Sequence, residues 1–212
     1  MKVFIIGGSG RVATELIKDL VNDGHEVTAA ARHEDNIIDL AGVNKVHLDL
    51  HASVDELAKL MKGNEAVYFT AGSRGKDLLQ TDAFGAVKTM QAAEKLGIGR
   101  YIMLSSVFAL QPDKWQLPGL KELMDYNIAK FFADNYLIHQ TKLAYTIVQP
   151  GGLTEKEGTG KINLDVIKPG TNPIPDVAQT LADVLKYDNT IDKVIMMESG
   201  NTPIDQALSE IK

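Results

Sequence analysis

The stretch Val3-Phe4-Ile5-Ile6-Gly7-Gly8-Ser9-Gly10-Arg11-Val12-Ala13 constrains the fold more than any other part of the chain. Consecutive apolar residues without alternation suit a strand buried on both faces, as in a parallel sheet. Beyond them, Val12, Leu16, Leu20 and Val21 recur at helical spacing and Gly24 supplies a stop, which predicts a helix. A strand that passes through glycines directly into a helix opens a βαβ unit. In that setting the glycines read as Gly8-x-Gly10-x-x-Ala13 or as Gly7-x-x-Gly10-x-x-Ala13, two forms of a dinucleotide-binding turn. Glycine permits the tight turn, and a missing side chain lets backbone approach a pyrophosphate. Ala13 lets the helix lie close to the sheet, and the helix N-terminus turns its positive end toward phosphate. Gly7, Gly8, Ser9, Gly10, Arg11, Val12 and Ala13 are therefore candidate cofactor-binding residues.

Strand and helix patterns alternate through the remaining sequence. Strands are expected over residues 25–32, 45–50, 65–72, 100–106, 144–152 and 192–199, and helices over 35–42, 54–63, 82–97, 126–141 and 177–187. Ser53 with Glu56 makes a capping box for the helix at 54–63, and Thr202 and Pro203 look like the N-cap and first residue of a last helix. The pattern predicts a single α/β domain over residues 1–212, a doubly wound parallel sheet of Rossmann-like form with short substrate-side loops. Two stretches without clear periodicity, 107–125 and 154–175, follow strand ends. Ligands bind outside the carboxyl ends of strands in such sheets, so these stretches are the expected substrate walls.

Composition narrows the function. With no cysteine, disulfides, thiol nucleophiles and Cys-ligated metal are excluded. A net charge of -6 argues against a nucleic-acid partner. No apolar run approaches the roughly 18 residues of a membrane span, and the opening run is too short for a signal peptide. A cytoplasmic protein acting on a small molecule, without a membrane partner, is the expectation; the oligomeric state is left open.

The end of the second strand selects the cofactor. An acid there would bond the ribose hydroxyl of NAD, whereas Arg32 suits the 2′-phosphate of NADP. NADP is the expected cofactor, with NAD the alternative because Glu34 and Asp35 stand close by. His47, Asp49 and His51 alternate and would share one face of a strand. That spacing is common in strands, so no metal site is assigned, and Asp49 is placed where an adenine would rest.

Several of these pieces occur together in the order seen in a known family: "GGSGRVA", Arg32, "LDL" at 48–50, "FTAG" at 69–72, "TDAFGAVKTMQAAEKLGIGRYIMLSS" at 81–106, "YNIAK" at 126–130 and "VQPGGL" at 148–153. The chain resembles the short-chain dehydrogenase/reductase superfamily, in particular its small atypical branch of NmrA-like and biliverdin-reductase-B-like NAD(P)H-binding proteins. The resemblance implies that Gly7, Gly10 and Ala13 hold the pyrophosphate, and that Asp49 and Leu50 contact the adenine. Ala71 and Gly72 would line the ribose, and Pro150, Gly151, Gly152 and Leu153 would border the nicotinamide. Ser106 would bond the substrate carbonyl with Ser105 beside it, Tyr126 would be the general acid/base, and Lys130 would hold the nicotinamide ribose. The sequence departs from the family at two places. The main branch has asparagine where this chain has Asp82, and related sequences often carry arginine where this chain has Gln149.

The chemistry can be checked from the residues. Tyr126 and Lys130, one helical turn apart, share a face. A phenol ordinarily titrates near 10, and a neighbouring ammonium favours the phenolate, which makes such a pair useful for proton transfer near neutral pH. Trp115, the single tryptophan, could cap a flat substrate or serve packing. The expected function is an NADP-dependent oxidoreductase acting on a small carbonyl, enone or quinone-like substrate, with Ser106, Tyr126 and Lys130 as the catalytic set. The alternative is an NmrA-like protein that binds NAD(P)(H), turns nothing over and reports cofactor state to a partner.

Overall fold

The computed structural model describes residues 1–212. Its frame is a nine-stranded sheet flanked by helices on both faces. In chain order the elements are β1 (Lys2–Ile6), α1 (Arg11–Asn22), β2 (Glu26–Ala31), β3 (Val43–His47), α2 (Val54–Met61), β4 (Ala66–Phe69), α3 (Phe84–Leu96), β5 (Arg100–Leu104), α4 (Met124–Gln140) and β6 (Ala144–Pro150). They continue with β7 (Gly152–Thr154), β8 (Lys161–Asn163), β9 (Thr171–Pro173), α5 (Ile174–Asp183), β10 (Lys193–Ser199), β11 (Thr202–Pro203) and α6 (Ile204–Ser209).

The parallel part of the sheet runs β3-β2-β1-β4-β5-β6-β10, so strand order reverses between β1 and β4. That reversal opens a crevice at the carboxyl ends of the strands. β1 shows why its apolar run is continuous. Val3 and Ile5 belong to a core with α1 and α5 on one face, alongside Leu16, Leu20, Val177 and Leu181. Phe4 and Ile6 belong to a core with α2, α3 and α4 on the other, alongside Leu57, Met90, Ala133 and Leu137. A strand whose side chains alternate between two buried layers has no position left for a polar residue.

The capping box forms: the Ser53 hydroxyl accepts from the Glu56 N–H at 3.3 Å, and the Glu56 carboxylate accepts from the Ser53 N–H at 2.9 Å. Elsewhere the structure departs from expectation. Residues 35–42 are not a helix. A short 3-10 turn covers Glu34–Asn36, and Ile37 then turns extended and buries itself as a plug. So short a segment without a cap does not recover the cost of helix nucleation. The sheet is also not wholly parallel, because β8 pairs antiparallel with both β10 and β11. β7 and β9 form a separate two-stranded ribbon. The last helix begins at Ile204 with Pro203 as its N-cap, one residue later than Thr202 and Pro203 suggested. No helix is long and apolar enough to cross a membrane.

Candidate active site

A cleft of about 990 Å³ opens at the crevice where strand order reverses. Its floor is the glycine turn after β1. Gly7 has φ +87°, and a Cβ there would come within 2.6 Å of the Ala71 Cα. The ends of β1 and β4 therefore approach too closely for any side chain. Gly10 is the N-cap of α1 and offers no capping side chain, and the first turn of the helix holds no acid. The leading N–H groups of α1 are left for a ligand anion. Ser9, Gly10, Arg11 and Val12 line the cleft, but Gly8 does not. The Gly8 N–H donates to the Ala30 carbonyl at 2.9 Å, and a Cβ there would meet the Ala29 Cβ at 2.9 Å. Its missing side chain serves the packing of β1 on β2. Ala13, fully buried, likewise packs the helix onto the sheet behind the turn.

Arg32, at the end of β2, lines one end of the cleft and forms no ion pair or hydrogen bond within the chain. The acid nearest in sequence, Glu34, is 3.2 Å from the His47 ring instead. Arg11 does not join Arg32: its guanidinium pairs with Glu155, beyond β7. Asp49 and Leu50 line the same end. β3 stops at His47, so His47, Asp49 and His51 do not share a strand face. The Asp49 carboxylate accepts from the His51 N–H at 2.9 Å, and the His51 Nε2 lies 2.7 Å from Asp77. Thr81 and His51 hold the Asp77 carboxyl below the usual carboxylate range. That contact draws the segment after β4 to the rim, where Arg74 and Lys76 add further cations to the wall.

The other end of the cleft gathers Ser105, Ser106, Tyr126, Lys130, Pro150, Gly151 and Leu153. The two serines follow β5 directly, while Tyr126 and Lys130 lie on the first two turns of α4. Lys130 is 2% exposed; its ammonium donates to the Leu104 carbonyl at 3.2 Å and stands 5.7 Å from the centre of the Tyr126 ring. It also lies 5.9 Å from the Phe69 ring centre. The serines divide their tasks. Ser106 lines the cleft and its hydroxyl has no partner within the chain, whereas the Ser105 hydroxyl donates to Asp134 at 2.7 Å. Gly152 lies outside the cleft wall, with its N–H donating to the Gly170 carbonyl at 2.9 Å.

Sequence reasoning missed the buried layer under this end. Asp134, one turn beyond Lys130, accepts from both Ser105 and the Gln149 amide, the latter at 2.8 Å. It ties α4 to the ends of β5 and β6. Burial pushes its carboxyl up to about 6, against the lowering effect of Ser105, Gln149 and Lys130. The Lys130-x-x-x-Asp134 spacing was the available signal. Asn172 was missed as well; fully buried, it accepts from the Gly151 N–H at 2.9 Å and fixes the turn after β6. Trp115 serves packing. It is 8% exposed, donates to the Phe108 carbonyl at 2.9 Å and stacks edge-on against Phe131. From the expected walls 107–125 and 154–175, Leu123 reaches the cleft and Glu155 holds Arg11; much of the wall is drawn instead from residues 73–77 with Thr81 and Asp82.

The chain matches the family described as NAD(P)H-binding over residues 7–188. It is 34% identical to the uncharacterized sugar epimerase YhfK of Bacillus subtilis, across 100% of both chains. It is equally, 34%, identical to the UPF0659 protein YMR090W of Saccharomyces cerevisiae, covering 100% of this chain and 99% of that one. Among solved structures, the oxidoreductase ylbE from Lactococcus lactis superposes with a TM-score of 0.95 at 45% identity, covering 100% of this chain and 96% of the other.

Proposed function

Because the chain belongs to the NAD(P)H-binding family, we propose that it is an NADP-dependent oxidoreductase acting on a small carbonyl, enone or quinone-like substrate. The observation that carries this reading is that Ser106, Tyr126 and Lys130 converge at one end of a single cleft whose other end presents the unpaired Arg32. The cradle fits the cofactor. The glycine turn and the uncapped N-terminus of α1 suit a pyrophosphate, and a free guanidinium suits a phosphate on the adenosine ribose. The relative at 45% identity is itself named an oxidoreductase.

When bound, the nicotinamide supplies or accepts the hydride. The protein's own residues manage the substrate oxygen. Ser106 donates a hydrogen bond to it and so orients and polarises the carbonyl. Tyr126 delivers its phenolic proton to that oxygen and is reprotonated from solvent. Lys130, fixed through the Leu104 carbonyl and standing beside the Tyr126 ring, supplies the positive charge and the donor for a ribose hydroxyl at this end of the cleft. Asp134 holds Ser105, Gln149 and α4 together and keeps these groups in register.

Arg32 gives the test of cofactor choice. Wild type is expected to bind NADPH more tightly than NADH, and Arg32→Ala to weaken NADPH binding roughly tenfold or more while leaving NADH nearly unchanged, since charge-assisted bonds to the 2′-phosphate are lost. Titration by cofactor fluorescence measures both. Equal losses for the two cofactors would remove Arg32 from the selection.

A further inference from the structure

Between Asp77 and α3 the chain makes a π-helical turn over Leu78–Ala83. Turns of this kind are rare and concentrate at functional sites, because the wider turn swings a side chain out of helical register. Here the side chain is Asp82. It has no solvent exposure, yet it lines the cleft. One carboxylate oxygen accepts from the Ser73 N–H at 3.0 Å, and the other, Oδ1, has no hydrogen-bond partner in the chain. No lysine, arginine or histidine forms an ion pair with it. Gly72 lies directly against Oδ1: a Cβ at that position would stand 3.4 Å from the oxygen.

Buried polar atoms are nearly always partnered, and a buried carboxylate oxygen without a donor is costly. The turn that places Asp82 is itself well anchored, with the Thr81 hydroxyl donating to Asp77 at 2.6 Å and the segment packed against α4. Local disorder therefore does not account for the unmet oxygen. The same cleft presents donors at its reacting end, namely Ser106, Tyr126 and Lys130. Asp82 adds a carboxyl oxygen without a partner to the cleft lining.

We infer that Asp82 Oδ1 is a ligand-binding group, the acceptor for a hydroxyl carried by the molecule in the cleft. The inference rests on the reading of the cleft as a nicotinamide-cofactor site. The hydroxyl has two sources, a ribose of the cofactor or a hydroxylated substrate. Asparagine at this position, usual in the main branch of the resembling superfamily, could meet the Ser73 N–H equally well but would turn an amide donor toward the cleft. Aspartate accepts on both sides.

The test is Asp82→Asn, which keeps size and the Ser73 contact while reversing the polarity offered to the ligand. Affinity for NADPH is measured by fluorescence titration and KM for a reacting carbonyl substrate that carries a hydroxyl group by steady-state kinetics. If the ribose is the partner, the Kd for NADPH rises roughly tenfold or more. If the substrate is the partner, the Kd holds and KM rises by a similar factor. Asp82→Asn matching wild type in both overturns the inference. A wild-type structure with NADP bound gives a second test, independent of the variant's folding. A ligand hydroxyl within hydrogen-bond distance of Oδ1 supports the inference, and Oδ1 facing no ligand donor, with cofactor and substrate analogue both present, refutes it. Wild-type NADPH binding, measured in the same titration, reports on the cofactor reading by itself, so a silent Asp82→Asn in a wild type that binds counts against Asp82 alone.

Discussion

Asp134→Asn changes the charge of the buried layer while keeping its shape. The asparagine oxygen can still accept from Ser105 and Gln149, which approach the same carboxylate oxygen of Asp134 at 2.7 Å and 2.8 Å. What disappears is a carboxyl whose titration differs between folded and unfolded chains. Burial holds it at about 6 in the folded protein, against an ordinary 3.8. The sign follows from the direction. A carboxyl raised on folding leaves stability intact below its unfolded value, and stability falls as pH climbs toward the folded value, because the unfolded chain releases the proton first. At ~1.36 kcal/mol per pH unit, the ionised Asp134 costs the folded state about 3 kcal/mol above pH 7. Asparagine does not pay this cost, though its amide hydrogens meet no partner where Oδ1 met none. That second effect is independent of pH. The difference in stability between Asp134→Asn and wild type should therefore move in favour of the variant by roughly 2–3 kcal/mol between pH 4 and pH 8, read by urea unfolding across that range. For a chain of this length that is a relative melting shift of roughly 5–10 °C. A stability difference that stays constant with pH would refute the assignment of Asp134 as a strained, buried carboxyl under the site.

The serines should separate cleanly. Ser105→Ala removes a donor from buried Asp134 and is expected to lower stability by about 1–3 kcal/mol in thermal unfolding, whereas Ser106→Ala should leave the melting temperature unchanged and lower kcat. Trp115→Phe loses the bond to the Phe108 carbonyl and should cost about 1–2 kcal/mol of stability with no change in NADPH affinity, since Trp115 lies outside the cleft wall; weakened NADPH binding would return it to the site. The Arg11–Glu155 pair is solvent-exposed, with the two side chains 53% and 69% accessible, so Glu155→Gln should change stability by less than about 1 kcal/mol, and a larger loss in a urea melt would mean that the pair fastens the segment beyond β7.

What could be read from the sequence was what local physics decides. The run Val3–Ile6 had to be a central strand because both its faces are buried, and Ser53 with Glu56 had to start a helix because each satisfies the other's backbone. Tyr126 and Lys130 sit one helical turn apart wherever the helix goes. Four features were not legible for a common reason: each depends on contacts distant in sequence. β8 is three residues long and exists through its pairing with β10 and β11. Residues 35–42 had helical composition, but burial of Ile37 against the sheet decided their path. Gly8 looked like a cofactor glycine, and its neighbour turned out to be Ala29 on β2. The role of Asp134 needed the knowledge that Ser105 and Gln149, on different strands, end at the same point in space.

The most direct test of the central reading is NADPH oxidation by wild type and Tyr126→Phe over a panel of small aldehydes, ketones, enones and quinones, followed at the absorbance of the reduced nicotinamide. Wild type is expected to turn over at least one class, and Tyr126→Phe to fall roughly 10²–10⁴-fold with NADPH affinity preserved, the range that a positioned general acid contributes. A Tyr126→Phe enzyme as fast as wild type would contradict the proton-transfer role of Tyr126, and a wild type that binds NADPH but oxidises it with none of the panel would contradict the assignment as a reductase of such substrates.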